Sequence, residues 1–283
     1  MNRGPVAQGA VRVGGLALGP GPVLVGILNV TPDSFFDGGE FLDPGRAVAR
    51  AETLLDEGAH IVDVGGESTR PGSEPVSKEE ELRRVLPVVQ GILAARPEAL
   101  ISIDTYRAST AEVVLDAGAS IVNDVTALSD PKMSSLVAER GCPVILMHMQ
   151  GEPKSMQQDP SYGDVVWEVR DFLARRAECA IQTGVKEENI ILDPGIGFGK
   201  TLGHNLTLLN RLDSLAGLGF PVLVGVSRKS FLGKILDGEP KSRLLGTVAA
   251  NVLAHERGAT LFRVHDVRAN KEALAVAAAI RGV

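Results

Sequence analysis

Cysteine is nearly absent: two residues, Cys142 and Cys179, in a chain of 283. They share no CxxC or zinc-ligand spacing, so no disulfide framework or structural zinc site is on offer, and both read as reduced thiols. Aromatics are scarce as well, with one Trp, two Tyr and eight Phe. Nor is there a basic excess, since 29 Lys and Arg against 35 Asp and Glu leave a net charge of −6. A nucleic-acid platform needs stacking rings and Lys/Arg stripes, and the chain has neither. No apolar run approaches the roughly 18 residues of a membrane-spanning helix. Met1-Asn2-Arg3-Gly4-Pro5 leads into a Gly-punctuated stretch rather than the apolar core of a secretion signal. The expectation is a cytoplasmic protein with no nucleic-acid or membrane partner.

What is present is an ordinary globular composition, 44% apolar and 23% charged, in a chain long enough to fold without covalent staples. Eight short apolar runs occupy 23–28, 61–64, 100–104, 120–123, 143–148, 190–193, 221–226 and 260–264. Their continuous Val/Ile-rich character suits strands buried on both faces of a parallel sheet. Helical spacing fills 47–55, 79–95, 108–117, 165–183, 244–255 and 270–280, and three helices break at Gly58-Ala59, Gly118-Ala119 and Gly258-Ala259 just before a strand. Eight β-α pairs predict a single (β/α)8 TIM-barrel domain over residues 1–283, ahead of a doubly wound open sheet. Val11-Arg12-Val13 and Leu16-Ala17-Leu18 around Gly14-Gly15 read as an N-terminal β-hairpin closing the barrel bottom.

A barrel places function at the C-terminal strand ends. All eight runs end in polar residues: Asn29; Glu67 with Arg70; Asp104; Asn123 and Asp124; His148; Asp193; Ser227, Arg228 and Lys229; Arg263, His265 and Asp266. Asp and Asn there can be helix caps, but Arg, Lys and His cannot. Two polar, Gly-bounded loops, Asn29 to Gly39 and Glu67 to Gly72, are suited to closing over a ligand. The stretch from Asp193 to Thr201 resembles a Walker loop, but Pro194 stands where the first Gly is required, and Lys200 breaks the dinucleotide pattern. It reads instead as close backbone approach to a flat ligand above Asp193. Arg263 and His265 alternate on one side of their strand and can converge on one anion. His60, His204, His255 and Trp167 read as helix or packing residues.

The segments GILNVTPDSFFDGG, DVGGESTRPG, SIDTYRA, VNDVTA, VILMHMQGEP, LDPGIGFGKT, VGVSRKSFLG and RVHDV resemble, in order and spacing, the signature of the dihydropteroate synthase family, a pterin-binding TIM-barrel family. They span Gly26 to Val267; Phe36 and Ile196 are the departures from the family pattern. The resemblance implies condensation of 6-hydroxymethyl-7,8-dihydropterin diphosphate with p-aminobenzoate, a transferase step of folate synthesis. It implies a pterin site of Asp104, Asn123, Met147, Asp193, Phe198, Gly225 and Lys229, and a diphosphate site of Asn29, Arg70, Arg263 and His265. For p-aminobenzoate it implies Thr31, Phe35, Arg70, Pro71, Lys229 and Ser230. Mg2+ would bridge the diphosphate to Asn29, with Asp37. Lys229, Asp104, Asp193, Arg263 and His265 become the catalytic set, and the assembly a homodimer. The rivals are a corrinoid-dependent methyltransferase, which has no diphosphate for Arg263 and His265 to hold, and a catalytically dead pterin-binding barrel.

Overall fold

The computed structural model describes residues 10–13, 16–31, 43–68, 73–152, 154–236 and 243–282. In chain order, β1 (Ala10–Val13) and β2 (Leu16–Pro20) precede β3 (Val23–Asn29), α1 (Pro44–Asp56), β4 (Ile61–Gly65), α2 (Lys78–Ala95), β5 (Leu100–Asp104), α3 (Ala108–Asp116), β6 (Ile121–Asp124), α4 (Pro131–Arg140) and β7 (Val144–Met147). Then come α5 (Val165–Gln182), β8 (Ile190–Asp193), α6 (Leu202–Asn210), α7 (Asp213–Ala216), β9 (Leu223–Val224), α8 (Ser230–Leu236), α9 (Leu244–Glu256), β10 (Leu261–Val264) and α10 (Val267–Arg281).

The parallel strands lie in the order β8-β7-β6-β5-β4-β3-β10-β9. A parallel bridge between Leu192 and Val222 joins the two ends, with the Leu192 N–H donating to the Pro221 carbonyl at 2.9 Å. The sheet is therefore a (β/α)8 barrel, as read from the runs. β9 keeps only Leu223 and Val224 in regular pairing, because Pro221 has no N–H to give the ladder.

Period-two alternation divides each strand between two cores. Val23, Val25, Ile61, Ile121, Ile145, Ile191, Leu223 and Leu261 cluster with one another inside the barrel. Leu24, Val62, Ile101, Leu146, Leu192 and Phe262 face outward into a larger core beneath the helices. Burial on both faces is why the runs read as continuous rather than alternating. Leu16 packs against the interior cluster, so the antiparallel β1–β2 hairpin closes the N-terminal end as expected.

The helices start where short polar side chains can take up their orphan N–H groups. Asp43, Ser77, Asp130 and Asp164 do this for α1, α2, α4 and α5, and Thr201 with His204 forms a capping box on α6. The Gly-Ala breaks are C-terminal stops, as at Gly118, whose φ of 109° reverses the chain before the Ala119 N–H reaches the Val114 carbonyl at 3.1 Å. Trp167 departs from expectation: it is 60% exposed on α5. The buried stripe of that helix runs through Val165, Val169 and Leu173, and a residue two positions past Val165 points away from it. Among the described residues no helix is long and apolar enough to cross a membrane.

Candidate active site

The alternation that fills the barrel also builds its mouth. Two residues beyond Ile61, Ile121, Ile145, Ile191, Leu223 and Leu261 come Asp63, Asn123, Met147, Asp193, Gly225 and Arg263. Asn29, Asp104 and His265 occupy the corresponding inward positions of β3, β5 and the end of β10. The apolar layer below and the polar layer above are one pattern, read two residues apart.

Three carboxylates, Asp63, Asp104 and Asp193, and two cations, Arg263 and Lys229, meet in this layer. Arg263 donates from Nε to Asp63 Oδ2 at 2.6 Å and from Nη2 to Asp104 Oδ2 at 2.8 Å. Asp63 is fully buried and also accepts from Asn123 Nδ2 at 3.2 Å. Sequence reasoning passed over Asp63; its signal was a lone carboxylate inside an apolar strand, where burial demands a cation. Arg263, expected on a diphosphate, has these two donor edges engaged within the barrel, so Nη1 is the edge left to meet an anion.

Asp193 is 6% exposed and its Oδ1 accepts the Gly195 N–H at 2.7 Å. Burial pushes its carboxyl up, while Lys229, the Gly195 N–H, Arg263 and Lys200 draw it back. Asp104 is likewise pushed up by burial, with Arg263 opposing and Asp63 adding to the rise. Lys229 is pushed down to about 8 by burial, with Asp193 opposing. Its Nζ donates to the Ile196 carbonyl and stands 4.5 Å from the Phe198 ring centre, a cation–π contact. A Cβ on Gly225 would lie 3.8 Å from both Arg263 Cβ and Lys229 Nζ, so that glycine forms the floor between them.

Lys229 reaches the site because Arg228 turns the backbone with a φ of 57°. By its place at the strand end Arg228 reads as a site cation, but its guanidinium is spent on Asp266, Nε to Oδ2 at 3.0 Å, and its N–H on Thr247 Oγ1 at 3.1 Å. Beside it, His265 Nδ1 lies 3.0 Å from Ser227 Oγ, and the His265 carbonyl accepts from Arg50 Nη2 at 2.9 Å. Met147 is buried and Phe198 half-buried on one side, Thr31 is buried and Asn29 half-buried near the end of β3, and Ser230 is exposed at the start of α8. Phe35, Asp37, Arg70 and Pro71 lie outside the described residues.

Two glycines of the run after β8 are required by packing within the protein. A Cβ on Gly195, at φ 65°, would sit 1.9 Å from the His148 carbonyl oxygen, and one on Gly199, at φ 63°, 2.3 Å from that of Gln150. At these two positions the close approach is to the loop following β7, whereas a Cβ on Gly197, at φ 85°, would lie 3.1 Å from Lys229 Cδ. A second unforeseen feature stands at the stem of the loop after β4. Arg107 bonds Glu67 at 2.6 Å, Glu81 at 3.0 Å and the Val76 carbonyl at 2.8 Å, and Tyr106 Oη donates to Glu67 at 3.1 Å. Both ends of that loop are thus pinned to the turn that leads into α3. His60, His204 and His255 bond to backbone groups. Among the described residues no group of three or more His, Cys, Asp or Glu could hold a metal ion.

A closed (β/α)8 barrel with a paired acid–base cluster at its C-terminal mouth defines a small-molecule enzyme site. The model of the family described as pterin binding enzyme matches residues 25–265, so the chain belongs to the pterin-binding enzymes. The chain is 50% identical over 256 residues to the dihydropteroate synthase of Escherichia coli K12, covering 90% of each chain. The dihydropteroate synthase of Xanthomonas albilineans with 4-aminobenzoic acid superposes with a TM-score of 0.88 at 45% identity, over 95% of this chain and 96% of that one. The same enzyme in complex with 7,8-dihydropteroate gives 0.85 at 43% identity, again over 95% and 96%. Within its family the chain therefore takes its place with the dihydropteroate synthases, transferases of folate biosynthesis.

Proposed function

We propose that the barrel mouth condenses 6-hydroxymethyl-7,8-dihydropterin diphosphate with p-aminobenzoate to give 7,8-dihydropteroate and pyrophosphate, with the side chains above in the following roles. The carrying observation is the convergence of Asp104, Asn123, Asp193 and Lys229 beside the Phe198 and Met147 walls. A pterin edge offers an amino group, a ring N–H and a carbonyl, and these groups supply the matching carboxylates, amide and ammonium. Asp193 and Asn123 take the amino-pyrimidine donors, Asp104 the far ring nitrogen, and Lys229 the carbonyl. Buried carboxylates are costly alone; here Arg263, Lys229 and Lys200 balance Asp63, Asp104 and Asp193 in number.

The diphosphate falls to His265, Arg263 Nη1, Asn29 and Arg70. The arylamine attacks the exocyclic carbon: a C–N bond forms, the C–O bond to diphosphate breaks, and the nitrogen loses its proton to solvent. The electron-rich dihydropterin spreads the positive charge that develops on that carbon. Thr31, Phe35, Arg70, Pro71, Lys229 and Ser230 would line the p-aminobenzoate slot. For Mg2+, the half-buried Asn29 carboxamide at the end of β3 is a hard oxygen donor of the kind the ion takes, and a substrate diphosphate supplies the remainder; Asp37 would join it. When bound, the ion would neutralise charge gathering on the leaving diphosphate.

Two further readings belong here. Ile235 and Leu236 on α8, Leu245 on α9, and Val276 and Ile280 on α10 are all at least 48% exposed, and α9 packs against both α8 and α10. A second copy of the chain would cover this apolar face, giving the homodimer. Both cysteines are free thiols, which fits the cytoplasm. The test of the function is to titrate the protein with the pterin diphosphate and Mg2+ and follow pyrophosphate release. Release that depends on p-aminobenzoate supports the assignment, and release without it, or none at all, removes it.

A further inference from the structure

Lys200 takes no direct part in the chemistry just proposed, yet it is 2% exposed, a burial that lysine tolerates only with compensation. Its Nζ lies 2.9 Å from His148 Nδ1 and donates to the Phe198 carbonyl at 2.9 Å and to the His148 carbonyl at 3.4 Å. It therefore ties the loop after β7 to the loop after β8 directly behind the Phe198 wall. Tyr162 reinforces the same seam, its Oη donating to the Gly199 carbonyl at 2.8 Å, and so does the glycine packing at 195 and 199. Among the described residues no carboxylate hydrogen-bonds to this ammonium, and the anion acting on it is Asp193.

We propose that Lys200 is a positioning residue for pterin recognition: its sealed ammonium clasps the 194–199 segment to His148 and sets a positive charge behind Asp193, the acceptor for the pterin edge. The proposal rests on Asp193 being that acceptor. Lys229 and Arg263 face Asp193 from β9's loop and β10, and Asp104 and Asp63 share Arg263. His148, Asp193 and Lys229 face Lys200. Burial pushes Lys200 down to about 7, with Asp193 opposing and Lys229 adding to the fall. Below that pH it carries its charge. His148 is pushed down to about 3 by burial and by Lys200, so its ring is neutral and Nδ1 keeps a lone pair for the ammonium.

A clasp without an electrostatic role would lower pterin affinity equally at every pH. A cation behind Asp193 moves the acid limb. The experiment measures calorimetric affinity for unphosphorylated 6-hydroxymethylpterin against pH in wild type, Lys200→Met, Lys200→Gln, Lys200→Arg and Asp193→Asn. In the Met and Gln variants the acid midpoint is expected to rise by about one pH unit, on the order of tenfold weaker binding one unit below the wild-type midpoint. Lys200→Arg should return the midpoint towards wild type. Should the Met variant fail to fold, Lys200→Gln, which keeps a donor for the Phe198 carbonyl, carries the same test. An unmoved acid limb in a folded neutral variant overturns the proposal while Asp193→Asn still loses affinity. Undiminished affinity in Asp193→Asn instead overturns the pterin reading beneath it, and the proposal with it.

Discussion

Asp63→Ala should destabilise the barrel more than any exposed substitution could, and it should disarm the site at the same time. Asp63 is fully buried, with Arg263 Nε at 2.6 Å and Asn123 Nδ2 at 3.2 Å. Removing one partner of a buried ion pair costs about 3–5 kcal/mol because the other charge is stranded. Here the cation is not wholly stranded, since Arg263 keeps Asp104 at 2.8 Å and its side chain is 21% exposed. That relief points to the lower end, and the lost Asn123 bond adds about 1 kcal/mol. A net loss of about 3–4 kcal/mol corresponds to a fall in melting temperature of about 6–16 °C for a chain of this size. Thermal denaturation followed by circular dichroism reads it directly. The double variant Asp63→Leu/Arg263→Met, which removes the whole pair, should recover part of the stability and none of the pterin binding. If Asp63→Ala melts within about 2 °C of wild type, Asp104 alone suffices to hold Arg263, and the account of Asp63 as its principal anchor is wrong.

Gly195→Ala places a Cβ against the His148 carbonyl in a left-handed backbone; pterin affinity should fall at least about tenfold with the fold retained, and calorimetry showing wild-type affinity would refute the packing argument. Chelating divalent metal with EDTA should stop pyrophosphate release yet leave binding of a bare pterin nearly intact, because the ion acts on the diphosphate; full turnover in EDTA removes Mg2+ from the scheme. p-Aminobenzoate alone should bind weakly and gain affinity when pyrophosphate and Mg2+ are added, since its slot draws on two polar loops with few apolar anchors. Equal affinity with and without pyrophosphate would mean that the slot is preformed.

Much of the site was legible in advance because a barrel strand obeys a local rule. Each run buries one residue inside and one outside in turn, so the polar residue ending a run such as Ile190–Asp193 must stand at the mouth once the fold class is known. Helix stops at Gly-Ala pairs and the closing hairpin were readable for the same reason: φ preference and alternation need only a residue's neighbours in the chain. What the tertiary structure alone decided is which of these groups are spent on one another. Asp63 and Arg263 lie 200 residues apart, on strands separated by β3, and nothing local to either announces the bond. Arg228 reads as a site cation until Asp266 is seen to take its guanidinium, and the glycines at 195 and 199 read as a ligand cradle until the loop after β7 occupies the space. Lys200 and Arg107 acquire partners only when neighbouring loops pack together. Charge type and strand position are properties of the chain. Pairing depends on three-dimensional distance, because a buried charge is tolerated only where its counter-charge has been brought within reach.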